Sequence, residues 1–333
     1  MNTIGNSFRI SIFGESHGAG IGVTIDGCPP GLPLNEKDFT DDLARRAPGK
    51  KGTTPRKEDD LPRLLSGWFK EHTTGAPLTI WFDNKDTRSK DYDNLLKMPR
   101  PGHSDFVAMK RFGGFNDHRG GGHFSGRLTL ALIAAGVVAK KLLQPVKIDA
   151  RLVAAGGNHD IDAAISQAIG QGDSIGALVE CVASNVPLGW GEPFFDSVES
   201  TISHLAFAVP AIKGIEFGSG FQAAAMKGSE HNDPIMDYSG KTKTNHAGGI
   251  TGGLTNGNDL IFRVAVKPTS SIGLPQQTMN VQTQKQETLQ VKGRHDVCIG
   301  LRVPVVIEAI TAIALADFKL ISHMKQPWQQ LEE

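Results

Sequence analysis

"FRISIFGESHGAGIGVTID", residues 8–26, sets two apolar runs on either side of a loop of glycines and polar residues. In the first run Phe8, Ile10 and Ile12 alternate with Arg9, Ser11 and Phe13, the period of a strand with one buried face. Residues 21–26 read as a second strand, and the two are expected to pair across the loop. The same chain also carries long apolar helices, so strands pair as hairpins and do not alternate strictly with helices. An α+β layered fold is therefore expected in preference to a doubly wound sheet.

Further elements follow from local signals. Asn35 is placed to cap a helix with acids in its first turns and Arg45 and Arg46 at its end. "APLTIWF" (76–82), "KIDARLVAAGG", "ALVECVASNV" and "LIFRVAVK" (260–267) read as strands. Residues 126–143 form the clearest helix, 196–208 another with Asp196 as cap, and 304–320 a third opened by proline. Residues 47–60, 84–126 and 240–258 lack periodicity, and an irregular stretch as long as 84–126 usually has a functional reason. The tail "QPWQQLEE" is polar and expected to fray. No linker or break in composition divides the 333 residues, so one domain, 1–333, is expected.

Charge balances at 35 acidic against 35 basic residues, which argues against a nucleic-acid or membrane-surface partner. Anionic ligands must then be held by local clusters. Three well-separated cysteines, Cys28, Cys181 and Cys298, make no disulfide framework. With no leader-like N-terminus and no spanning apolar run, a cytoplasmic protein is expected.

Catalytic-type residues gather in six glycine- or proline-rich segments: 13–20, "ARRAPGKKG" (44–52), "RPGHSD" (100–105), "DHRGGGHFSGR" (117–127), "VKPTSS" (266–271) and "KGRHD" (292–296). Arginine forks pair with phosphate and carboxylate, histidine exchanges protons near neutrality, and glycine lets backbone N–H groups approach an anion. Each segment alone is a weak sign, since a lone histidine is more often a surface or core residue and "RRAPGKK" more often a solvated loop. Six together point to one anion-rich pocket assembled from distant loops. "RGGGHFSG" fits neither dinucleotide nor P-loop patterns, and no metal site is expected because no H-x-x-x-H or C-x-x-C spacing occurs.

Taken in order, "GNSFRISIFGESHG", "RPGHSD", "DHRGGG", "NHAGGITGG", "VAVKPTSS" and "GRHDVC" resemble the motifs of the chorismate synthase family, from about residue 4 to residue 320. The resemblance implies an α+β sandwich and a homotetramer. It implies a lyase of the shikimate pathway that removes phosphate from 5-enolpyruvylshikimate 3-phosphate by 1,4-anti elimination, giving chorismate and using reduced FMN. NADPH would enter only with a built-in flavin reductase activity.

By position, His17 resembles the acid that protonates departing phosphate, His103 the histidine beside the reduced flavin, and Asp296 the aspartate that helps flavin take the ring hydrogen. Ser16, Arg46, Lys51, Arg100 and Arg127 match substrate-binding positions. His123, Phe124, Ser125, Pro210, Ala211, Gly252, Lys267, Pro268, Thr269, Ser270, Ser271 and Arg294 match FMN-binding positions. The chain departs from the family pattern at Ala47 and Lys51, where arginines are usual, at His123 and Phe124, and at Pro210, where asparagine is common. Two other classes are weighed: a flavin reductase or oxidoreductase using the same cationic loops, and a non-enzymatic RNA or anion binder using 45–57. Sparse aromatics argue against the latter.

Overall fold

The computed structural model describes residues 1–54, 60–85, 94–291 and 295–325. A two-residue strand, β1 (Thr3–Ile4), flanks the opening hairpin of β2 (Arg9–Gly14) and β3 (Gly20–Asp26). The hairpin forms in the register its alternation requires, with Arg9 opposite Asp26 and Gly14 opposite Ile21. Phe8, Ile10, Ile21, Val23 and Ile25 point into the core. Asn35 caps as expected: its side chain accepts from Lys37 N while Asp38 accepts from Asn35 N, opening a 3₁₀ turn that leads into α1 (Thr40–Arg46). Next come β4 (Arg63–Ser66), a small ribbon of β5 (Trp68–Phe69) and β6 (His72–Thr73), and β7 (Leu78–Asp83). The first sheet has the order β1-β2-β3-β7-β4 and is antiparallel throughout.

The second half supplies α2 (Asp105–Arg111), α3 (Thr129–Leu143), β8 (Lys147–Ala155), α4 (Ile161–Gln171), β9 (Ala177–Ser184), α5 (Val198–Ala208) and β10 (Ile212–Phe217). It continues with α6 (Gly228–His231), a tight hairpin of β11 (Ile250–Thr251) and β12 (Leu254–Thr255), β13 (Leu260–Val266), a ribbon of β14 (Gln276–Asn280) and β15 (Lys285–Leu289), and α7 (Val303–Met324). The second sheet is antiparallel in the order β10-β13-β9-β8.

Helices α3 and α7 lie between the sheets. Helix α3 packs on β3, α7 packs on β8 and β9, and the two helices pack on each other. This explains their sequences, because a helix covered on every side is apolar on every side. Residues 129–139 of α3 and 305–318 of α7 are all buried. Gly136 allows the closest approach: a Cβ there would lie 2.5 Å from Ala309 Cα. Two buried carboxylates in α7 tie the layers together. Glu308 takes Arg45, Lys140 and the amide of Ala150, and Asp317 takes the amides of Asn6, Ser7 and Phe8 at 2.6–2.9 Å. No helix among the described residues is long and apolar enough to cross a membrane.

Some expectations need correction. The cap of α5 is Ser197, whose hydroxyl accepts from Ser200 N; Asp196 ends the preceding 3₁₀ turn. Within 84–126, expected to be mostly irregular, the described residues include the short helix α2. Helix α4, strand β10 and the β14–β15 ribbon are elements the sequence reading did not anticipate. The tail at 326–333 lies outside the described residues.

Candidate active site

The loop between β2 and β3 is tight for a stated reason. Gly14 has φ +96°, and a Cβ on it would strike the Gly20 carbonyl at 2.3 Å. The turn closes through Gly18 N on Glu15 O, and Ser16 and His17 are carried inward and buried. They meet the glycine run of the 117–127 segment. Gly120, Gly121 and Gly122 all have positive φ, which only glycine adopts freely. A Cβ on Gly120 would lie 2.5 Å from His17 Cδ2 and 2.7 Å from Ser16 Oγ. A Cβ on Gly121 would lie 3.5 Å from His103 Cε1. The bare backbone of this run thus separates His17 from His103 with almost nothing between them.

His103 stands just before α2, whose first residue, Asp105, organises the segment. The Asp105 carboxylate accepts Arg100 Nε and Nη2, both at 2.8 Å, and lies 2.6 Å from His103 Nδ1. Burial would raise this carboxyl, but the hydrogen bonds and charges of Arg100 and His103 overcome it and hold it well below the ordinary range. Arg100 also reaches Ser271 Oγ at 3.0 Å.

A second cluster lies toward α1. Arg127 donates to Asp60 at 3.0 Å, and Arg46 faces the other oxygen of Asp60 at 3.4 Å. Arg46 also bonds Thr129 Oγ1 and the Gly126 carbonyl. Its own carbonyl accepts Arg302 Nε, and Arg302 pairs with Asp296 at 3.2 Å. Asp296 takes the amide of Thr54 as well, at 2.8 Å. Among the described residues, Arg46, Arg127 and Arg302 here face Asp60 and Asp296 in a largely buried space. Burial, then the charges of Arg302 and Arg127, push Arg46 down to about 9. It remains a cation at neutral pH, and its guanidinium suits an added anion.

The 266–271 segment closes the other side. Lys267 Nζ donates to Gly102 O at 3.1 Å and to Ser270 Oγ at 2.8 Å, and Ser270 Oγ donates to Gly102 O. These partners are neutral: among the described residues Lys267 has no carboxylate. Burial and nearby Lys213 lower its pKa. Thr269 Oγ1 is buried without a partner among the described residues. Lys267 N donates to the carbonyl of Ala211, which holds a positive φ beside Pro210.

His17, Ser16, Arg46, Arg100, His103, Ser125, Arg127, Ala211, Lys267, Ser270, Ser271 and Asp296 thus belong to one connected set of loops. Pro210 and Pro268 lie within those loops. His123 faces away from the glycine run, bonding Gly14 O and Asn2 Oδ1, and Phe124 is exposed against Phe112. Lys51 is directed to Ser166 on α4. Gly252 sits in the β11–β12 hairpin near the start of β13. Lys267 follows the end of that strand, seven residues or roughly 23 Å away. Arg294 lies outside the described residues. Sequence reasoning named neither Asp105, Asp60, Asn84 nor Arg302 as functional. Asp105 stood inside a quoted segment; the others carried no motif.

Residues 8–320 match the chorismate synthase family. A chorismate synthase of Chitinophaga pinensis is 62% identical over 324 residues, covering 97% of this chain and 98% of its own. One from Korarchaeum cryptofilum is 43% identical, covering 94% and 96%. A crystal structure of chorismate synthase superposes with a TM-score of 0.71 at 26% identity, covering 96% of this chain and 93% of that one.

Proposed function

The chain belongs to the chorismate synthase family, lyases that eliminate phosphate from 5-enolpyruvylshikimate 3-phosphate to give chorismate, and from that premise we propose how its own residues divide the work. The elimination breaks the C–O bond to phosphate and a ring C–H bond. It needs one proton delivered to the phosphate and one taken from the ring. The observation that carries the assignment is the placing of His17 and His103 on either side of the side-chain-free run 120–122, with the guanidinium cluster adjoining.

His17 delivers the proton at its ring nitrogen to the departing phosphate oxygen. Arg46, Arg100 and Arg127, with Ser16, hold the substrate's carboxylates and phosphate, for which their guanidinium forks are suited. Asp296 is assigned to the proton leaving the ring. Burial of His17, Gly121 and Gly122 keeps water from the reacting atoms.

The residues also fit FMN, the family's cofactor. Lys267, a cation among neutral acceptors, and Thr269, a buried hydroxyl without a partner among the described residues, are a donor set for a phosphate-bearing ligand. Lys267 through Ser271, with Ala211 and Ser125, would hold it, and His103 would face it. Reduced FMN supplies the electron chemistry of the family's reaction. We further propose a homotetramer, supported by aromatic side chains left exposed on the protomer.

Phosphate release should require reduced FMN, and turnover with flavin omitted would overturn the assignment. His17→Ala should fold, bind FMN, and lose activity by about 10²–10⁴-fold. Near-normal turnover would remove His17 from the mechanism.

A further inference from the structure

We propose that Asn84 is the positioning residue of His17, fixing the Glu15–Gly18 loop and coupling it to Arg127. Asn84 follows the last residue of β7, and its backbone N–H bonds the carbonyl of Ala19. Its side-chain amide donates to Glu15 O at 2.8 Å and to Gly18 O at 3.0 Å. These carbonyls bracket Ser16 and His17. Its Oδ1 accepts Arg127 Nε at 2.5 Å. The orientation of the amide is unambiguous, because both carbonyls can only accept and a guanidinium can only donate.

Among the described residues the loop's own backbone bonds are Gly18 N to Glu15 O and Ser16 N to Gly122 O. His17 is limited on one face by Gly120, where there is no room for even one carbon atom. Asn84 pins the backbone on both sides of His17. Because the same amide holds Arg127, an anion bound at Arg127 acts on a group already rigidly connected to the acid. Displacing a catalytic group by about 1 Å can cost on the order of 10²-fold in rate. Asn84 touches neither substrate nor cofactor in this role and acts through His17.

The inference rests on His17 being the acid, and the experiment separates the two claims. Asn84→Asp keeps an acceptor for Arg127 but replaces both donors to the loop by a carboxylate oxygen facing two carbonyls. It should lower kcat about 10–100-fold with KM for 5-enolpyruvylshikimate 3-phosphate within about threefold of wild type. Asn84→Ala, which also removes the acceptor at Arg127 Nε, should raise KM as well. In a His17→Ala background Asn84→Asp should change kcat by less than about twofold, since a group acting through His17 has nothing left to position. Thermal unfolding checks that each variant folds; should Asn84→Asp not fold, Asn84→Ser is read by the same cycle. An undiminished kcat in Asn84→Asp, or the same loss with and without His17, overturns the positioning role. A fully active His17→Ala overturns the assignment of His17 and this inference together.

Discussion

Asp105 takes both faces of its carboxylate into service, one oxygen bridging Arg100 and His103 and the other bonding Arg100 again. Its folded-state charge persists to lower pH than in the unfolded chain, where an aspartate titrates near about 3.9. The depressed carboxyl therefore adds stability that is fully present above that value and is lost as pH falls below it. Melting temperature should drop on acidification from about pH 5 to pH 3, and Asp105→Asn should show a shallower drop over that window. Equal slopes in differential scanning calorimetry would show that Asp105 contributes nothing to the acid limb. At this scale the sequence revealed the motif residues, because glycine and proline around "RPGHSD" and "KPTSS" mark backbone that approaches something closely. It did not reveal Asn84 or Asp60. Their partners are Glu15, Gly18, Arg46 and Arg127, far along the chain, and a single polar residue in a non-periodic stretch gives no sign of a distant bond.

Among the elements, α3 and α7 were legible because burial on all sides makes them apolar throughout, a pattern that needs no register to recognise. Gly136 is the point where they come closest, against Ala309. Gly136→Ala should place a methyl carbon 2.4 Å from Ala309 Cβ, so the helices must separate. Overpacking of this kind costs about 1–3 kcal/mol, outweighing the gain of up to about 1 kcal/mol in helix propensity. Denaturant unfolding should show a lower midpoint with an unchanged slope; a higher midpoint would mean the layers yield freely. The elements that escaped sequence reading lack such a signal. The β14–β15 ribbon buries only Asn280 and Leu289, and the inward positions of β14 are the polar Gln276, Thr278 and Asn280, so no apolar alternation marks it. Helix α4 buries only Ala164, Ile165 and Ala168. The cap of α5 was misplaced by one residue because Asp196 and Ser197 are equally good acceptors by composition. The extended backbone of Ser197, ψ 156°, aims its hydroxyl at Ser200 N.

Across the whole molecule, the two sheets enclose their helices almost completely, yet large aromatics remain outside. Phe194, Phe195 and Phe221 are 88%, 93% and 84% exposed, and Tyr238 is fully so. Phe194 also holds φ +66°, a conformation that costs a bulky residue on the order of 1–3 kcal/mol. Apolar side chains displayed in this way are characteristic of surfaces that other chains cover. The balanced charge offers no long-range repulsion between copies. The homotetramer proposed above would cover these side chains, because a surface that meets its own kind around closed symmetry leaves no free apolar face to propagate. Light scattering at micromolar concentration should give a mass about four times the 35.7 kDa of the chain. Replacing Phe195 and Phe221 together by serine should lower that mass while leaving the fold intact by circular dichroism. A 35.7 kDa particle from the unaltered chain would reject the assembly, and an unchanged mass in the double variant would place its interface elsewhere.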